Sequence, residues 1–115
     1  MPGRLSPRVP AYVLIDSHVT DAARYATYAA EGGRILPGLG GRFLSRGGRV
    51  EVLEGSWTPT RIVVIEFPDV AAARRWYQSP QYQAARRMRE GAADFRCVIV
   101  EGVAGSGPAV PSPQA

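Results

Sequence analysis

The run RIVVIEF, residues 61–67, limits the folds open to this chain more than any other stretch. Val63, Ile65 and Phe67 alternate with Ile62, Val64 and Glu66, so both faces are apolar until Glu66. A strand of that kind lies inside a sheet and is covered on both sides. Pro68-Asp69 closes it, a helix carrying Trp76 and Tyr77 follows, and Ser79-Pro80 starts a second helical segment. Glu66 is the one polar side chain on an otherwise buried face.

Other segments read as partners for this strand. Residues 11–19, AYVLIDSHV, place Tyr12, Leu14, Asp16 and His18 on one face and Val13, Ile15, Ser17 and Val19 on the other. Thr20 or Asp21 caps the helix that follows, which carries Ala22, Tyr25, Ala26 and Ala29 on one side. Gly32-Gly33 weakens that helix and marks a kink or a close backbone approach; Pro37 and the glycines after it end the segment. Residues 41–46 and 49–54 read as short strands joined by a tight Gly47-Gly48 hairpin. The polar loop 55–59 carries Trp57, a lid or interface residue, and 95–103 is the last strand.

The order is strand, helix, strand with a hairpin extension, strand, helix, strand. That is the split βαβ arrangement of ferredoxin-like folds, an α+β protomer of the form βαββαβ with an antiparallel sheet. Two helical regions cover one face of the sheet and leave nothing for the other except a second copy. A homodimer with its sheets packed face to face is therefore expected. Residues 11–103 form the single domain, with 1–10 as a flexible lead-in and 104–115 as a disordered low-complexity tail.

Composition narrows the function classes. At 115 residues the chain is long enough for one core. No run approaches the ~18 apolar residues of a membrane span, and the N-terminal decapeptide lacks the apolar stretch of a secretory signal. Cys97 is the only cysteine, which fits a reducing cytoplasm and reads as a small hydrophobe in a strand. The net charge is +4 and every basic residue is arginine. Arg74, Arg75, Arg86, Arg87 and Arg89 crowd the second helical region, but the aromatic residues there have core spacing. The patch reads as a solvated helix face, not as a nucleic-acid surface. One histidine and one cysteine make no metal cluster, and no CxxCH, GxGxxG, Walker loop or GxSxG is present. No cofactor is expected.

The segments GGRFLSRGGRVEVLEGSWTPTRIVVIEFPD and RRWYQSPQYQAARRMREGAADFRCVIVEGV resemble a family of dimeric α/β-barrel proteins, the domain-of-unknown-function family 1330. The paired glycines, the EG-W-P loop, EFP and the WY-SP-Y run carry the resemblance, which extends over about residues 11–103. It implies a ferredoxin-like protomer, a homodimer and a cytoplasmic bacterial protein, without a settled activity. The wider dimeric α/β-barrel group includes cofactor-free monooxygenases, lactone isomerases, polyketide cyclases and haem enzymes, so fold alone warrants little about reaction. His18 lies outside the runs that carry the likeness.

The candidate chemistry is a small set of proton-transfer groups. Asp16 and His18 project from one side of the first strand, and pairing of the first and third strands is expected to bring Glu66 near them. Arg42 supplies a fixed positive charge for an anionic substrate or a developing enolate, while Tyr12, Tyr25 and Trp76 wall the cavity. Imidazole suits proton transfer at neutral pH, which makes His18 the expected catalytic base, helped by Asp16 or Glu66. The expected function is cofactor-independent acid/base chemistry beside a carbonyl, of isomerase, cyclase or lactone-forming type, in a pocket between sheet and helices. The alternatives are a non-catalytic homodimeric binder of a hydrophobic metabolite and a cofactor-free monooxygenase.

Overall fold

A computed structural model describes residues 9–106. Most of the expected lead-in and tail therefore lies outside the described residues. Four strands, β1 (Ala11–Val19), β2 (Arg42–Arg46), β3 (Ile62–Phe67) and β4 (Ala93–Glu101), form one sheet in the order β2-β3-β1-β4. Every pairing is antiparallel. Three helices, α1 (Ala22–Ile35), α2 (Val70–Gln78) and α3 (Pro80–Arg87), complete the α+β ferredoxin-like protomer. Among the described residues no helix is long and apolar enough to cross a membrane.

The helix boundaries follow from side chains that satisfy otherwise unpaired backbone groups. Asp21 accepts from the Arg24 amide at 3.0 Å, and Asp69 accepts from the Ala72 amide at 2.7 Å. Ser79 serves two helices: its hydroxyl donates to the Trp76 carbonyl at 2.8 Å and accepts from the Tyr82 amide at 3.0 Å. Pro80 then begins α3 where a missing N–H costs nothing. Gly32-Gly33 leaves α1 unbroken from Ala22 to Ile35, so the tandem glycines mark a close approach and not a break.

The two faces of the sheet differ sharply. Ala11, Val13, Ile15 and Ser17 of β1 are buried under the helices with Val63, Ile65 and Phe67 of β3. On the other face Leu14 is 39%, Val98 57% and Val100 45% exposed, because nothing among the described residues covers them. The interior strand β3 is thus apolar on both sides but covered on one.

The hairpin extension needs a local correction. Residues 49–54 form no ladder with β2; the Gly47 amide donates to the Ile62 carbonyl at 2.9 Å, so the chain leaves the sheet there. A strand beyond the β2 edge has no apolar layer to lie against, and Val52 and Leu53 stay exposed.

Gly41 sits where the turn after α1 meets the core. A Cβ there would lie 2.5 Å from Leu36 Cδ1 and 2.8 Å from Phe67 Cζ, both buried side chains with little freedom to move. Gly41→Ala is expected to lower unfolding free energy by about 1–3 kcal/mol, measured by urea denaturation. A value within error of wild type would show that the core yields at this point.

Candidate functional site

The register of the sheet distributes the seven expected residues over two sites. Tyr12 faces Glu66 across the β1–β3 ladder, and Asp16 faces Ile62. Directly paired residues share a face, so Tyr12, Asp16, His18, Glu66 and Arg42 all belong to the open face. Glu66 is nevertheless four residues along the ladder from Asp16 and six from His18, about 13 and 20 Å at strand rise. The expected approach of Glu66 to His18 does not occur. Antiparallel pairing places the end of β3 beside the start of β1, and His18 is near the end of β1.

Each open-face group has a local partner. Glu66, buried although charged, accepts from Arg42 Nε at 2.7 Å. Asp16 Oδ2 accepts from Trp57 Nε1 at 3.0 Å, which pins the 55–59 loop against the sheet. His18 is exposed, and its Nδ1 lies 3.4 Å from Thr60 Oγ1. Asp94, opposite His18 in the ladder, lies 3.8 Å from Arg96 in an exposed pair. Asp16, His18, Trp57, Asp94 and Arg96 edge a shallow depression rather than an enclosed cavity.

A second, half-open site is on the other side of the sheet. Tyr25 and Trp76 wall a cleft between helices and sheet, as expected for a pocket in this fold, together with Tyr28, Tyr82, Phe43 and Val63. The cavity itself is small, about 30 Å³, and its exposed lining is largely apolar. Tyr12 and Arg42 are not part of it. In its wall the Tyr28 and Tyr82 hydroxyls pair at 2.8 Å, and behind the wall Ser17 Oγ lies 3.0 Å from the Tyr25 hydroxyl. Edge-on ring packing holds Tyr25 against Tyr28, with centroids 5.3 Å apart, and Trp76 packs at a tilt against Tyr82 with centroids 4.3 Å apart. Arg46 and Arg61 are at the mouth.

Burial pushes the Tyr28 phenol far above the ordinary tyrosine range, and the neighbouring Tyr82 pushes it further. Tyr82 is also raised, chiefly by burial, with its bonds to Tyr28 and Arg89 offsetting part of the effect. Both are therefore neutral donors at any physiological pH. Arg89 is not part of a solvated helix face: its guanidinium lies 3.4 Å from the Phe95 ring centroid and 5.2 Å from that of Tyr28. Burial raises the Cys97 thiol to about 11, which keeps it protonated and unreactive. Among the described residues no group of three or more His, Cys, Asp or Glu could hold a metal ion.

Ser17, Tyr28, Arg46, Arg61, Tyr82 and Arg89 were absent from the expected site. Tyr28 stands three residues from Tyr25 on α1, the spacing of one helix face, and that signal was available. Arg61 shares strand parity with Val63. Nothing local identifies Arg46.

The fold and the cleft invite comparison with known proteins. The model of the family described as Domain of unknown function (DUF1330) matches residues 10–103. The chain belongs to that family. No curated protein matches it. The RPA0582 protein of unknown function from Rhodopseudomonas palustris superposes with a TM-score of 0.68 at 23% identity, over 85% of each chain. SnoaB, a cofactor-independent oxygenase from Streptomyces nogalater, gives a TM-score of 0.53 at 12% identity, over 93% of this chain and all of that one. A putative antibiotic biosynthesis monooxygenase from Nitrosomonas europaea gives 0.54 at 16% identity, over 90% of this chain and 99% of that one. At these identities the likeness is one of fold, and the DUF1330 chain shares that fold with all three.

The tyrosine pair has a pH signature. A phenol whose pKa is raised by folding stabilises the native state fully below the unfolded tyrosine value of about 10. That contribution is lost as pH rises from there toward the folded value. Absorbance at 295 nm is expected to show two tyrosines ionising only with alkaline unfolding, and one fewer in each of Tyr28→Phe and Tyr82→Phe. Five tyrosines titrating together near pH 10 in folded protein would contradict the burial argument.

Proposed function

We propose that this DUF1330 protein is a homodimeric, cofactor-independent small-molecule enzyme whose reaction occurs in the helix–sheet cleft. The observation that carries the reading is the Tyr28–Tyr82 hydroxyl pair at the wall of an otherwise apolar cleft. Within the pair one hydroxyl donates to the other, which leaves one hydrogen for a ligand oxygen. Carbonyl oxygen is the acceptor such a donor fits. As a proton leaves the carbon beside that carbonyl, the C–H electron pair becomes the new C=C bond and charge moves to the oxygen. A neutral phenol in a dry site stabilises that enolate more than the uncharged carbonyl, which is the requirement for catalysis.

The base differs from the expected one. His18, Asp16 and Glu66 lie across the sheet from the cleft, so the proton passes to water at the mouth when the substrate is a sufficiently acidic dicarbonyl or phenol. Return of a proton to another carbon completes an isomerisation. Transfer of an electron from the enolate to dissolved oxygen opens the oxygenase alternative, which SnoaB's description as a cofactor-independent oxygenase favours. Both reactions share the enolate step. A soluble cytoplasmic location accords with the single cysteine and the absence of a membrane-length helix among the described residues.

The dimer reading rests on the open face. Leu14, Val64, Val98 and Val100 make an apolar centre, flanked by the Arg42–Glu66 pair at one end and the Asp16, Asp94 and Arg96 charges at the other. An apolar core with a polar rim is the anatomy of a protein interface, and a second identical sheet fits it by symmetry. Wild type is expected to sediment at twice the chain mass, and Val98→Asp at the monomer mass with its folded spectrum retained. A monomeric wild type would remove the dimer from the proposal.

The reaction is tested by deuterium exchange of 1,3-dicarbonyl compounds in D₂O, followed by NMR, with oxygen uptake recorded in parallel. Tyr82→Phe and Tyr28→Phe are each expected to slow exchange at least ~10-fold, whereas His18→Ala leaves it unchanged. Loss of exchange in His18→Ala alone would return the chemistry to the open face. Saturable binding with neither exchange nor oxygen uptake would make the protein a binder.

A further inference from the structure

Two arginines at the mouth of the cleft have no acidic partner among the described residues. The ion pairs there join Arg34 to Glu31, Arg42 to Glu66, Arg49 to Glu51 and Arg96 to Asp94. Arg46 and Arg61 take part in none. Arg61 lies over the Tyr25 ring, its guanidinium carbon 5.4 Å from the centroid, and its Nε is buried without a hydrogen-bond acceptor. A buried, unsatisfied guanidinium nitrogen is costly.

A β-bulge puts Arg46 there. Phe43 pairs with Ile65, but Ser45 pairs with Val64 and Arg46 with Val63, so Leu44 is an extra residue. Without it, Arg46 would oppose Ile62 on the open face, the same side as Arg42. One inserted residue reverses every side chain beyond it. Arg46 now shares the helix side with Val63 and Arg61, and its Cα is a diagonal neighbour of Arg61, about 7–8 Å away.

Two glycines make room for the two guanidinium groups. Arg46 lies over the Phe43 ring, its guanidinium carbon 4.3 Å from the centroid, and donates from Nη2 to the Ala29 carbonyl. A Cβ on Gly33 would lie 2.9 Å from both of its terminal nitrogens. Gly33 weakens the helix by about 1 kcal/mol relative to alanine, and the seat for Arg46 accounts for it. Gly47 has φ +69°, and a Cβ there would overlap Arg61 Nη1. The neighbouring Gly32, also at the cleft, has no atom within 4 Å of its Cβ position and keeps the entrance open.

We propose that Arg46 and Arg61 form an anion clamp at the cleft mouth, and that the ligand of this protein is an aromatic or conjugated organic acid, held with its charge by the two guanidiniums and its ring in the open space over Gly32. The assignment rests on the cleft being the ligand site. Two cationic side chains lining one cleft with no acidic partner among the described residues favour an anion there, and a carboxylate or enolate supplies acceptors to their planar donors.

Isothermal titration calorimetry with 2-naphthoate and with its neutral isostere 2-naphthamide tests the clamp. Naphthoate is expected to bind at least ~10-fold more tightly than the amide, in keeping with the worth of charge-assisted hydrogen bonds. Arg46→Gln and Arg61→Gln are each expected to weaken naphthoate at least fivefold and the amide less than twofold. Gly33→Ala keeps both charges and improves helix propensity, yet is expected to weaken naphthoate by displacing Arg46. Gly32→Trp fills the entrance and is expected to abolish binding of both probes.

Equal affinity for the two probes, no saturable naphthoate binding, or naphthoate affinity untouched by both arginine variants overturns the clamp. Binding of both probes unaffected by Gly32→Trp overturns the cleft itself as the ligand site. The two failures are therefore distinguishable.

Discussion

The hydrogen bond between the Tyr28 and Tyr82 hydroxyls joins α1 to α3 across 54 residues of chain, inside the layer that packs the helices on the sheet. Leaving either phenol buried without a partner would cost about 1–3 kcal/mol, so the two rings must meet tip to tip. That condition fixes how α1 and α3 approach one another. Phe95 packs edge-on against Tyr28, and Trp76 fills the space between Tyr82 and Phe67. Rings set edge-on and tilted leave gaps that aliphatic side chains would close. The cleft is thus a consequence of how an aromatic, polar-tipped layer packs.

The sheet beneath that layer has two tasks on its two sides. On the helix side β1 presents Val13, Ile15 and Ser17, and on the open side Leu14 and Asp16. The division is set by strand parity and is changed at only one place, the Leu44 bulge. Arg42 and Arg46 are four residues apart and would face the same way in a regular strand. The bulge leaves Arg42 with Glu66 and turns Arg46 to the cleft. A single unpaired residue therefore decides on which side of the sheet the Arg46 charge lies.

Strands, helices and their order were legible in the sequence because their signals are local. The alternation of residues 11–19 matches β1 residue for residue, and Asp69, Ser79 and Pro80 mark the helix ends as they do in the structure. The site was less legible because its determinants are not local. Alternation shows that Asp16 and His18 share a face but not that the helices lie on the other one. The strand neighbours β1 and β3 were foreseen, yet the ladder register sets Glu66 against Tyr12 and far from His18. The Gly47-Gly48 hairpin failed for a tertiary reason, the lack of any layer for a further strand to lie on. Arg46 was hidden by the bulge, which no pattern in RFLSR announces.

The charge character of the cleft follows from what its walls lack as much as from what they carry. Its polar groups are three phenols, the Trp76 indole and two guanidiniums, with no carboxylate or imidazole among the lining residues described. Such a set donates hydrogen bonds and positive charge but takes up no proton. It stabilises negative charge that a ligand brings or develops, and it discriminates against cations. A substrate acidic enough to lose its proton to water needs no base from the protein, and the donors then act on the anion. Under the proposed function the clamp and the tyrosine pair would divide the work: the arginines would hold a charge already present at the mouth, and the phenols would receive the charge that forms on an oxygen of the substrate.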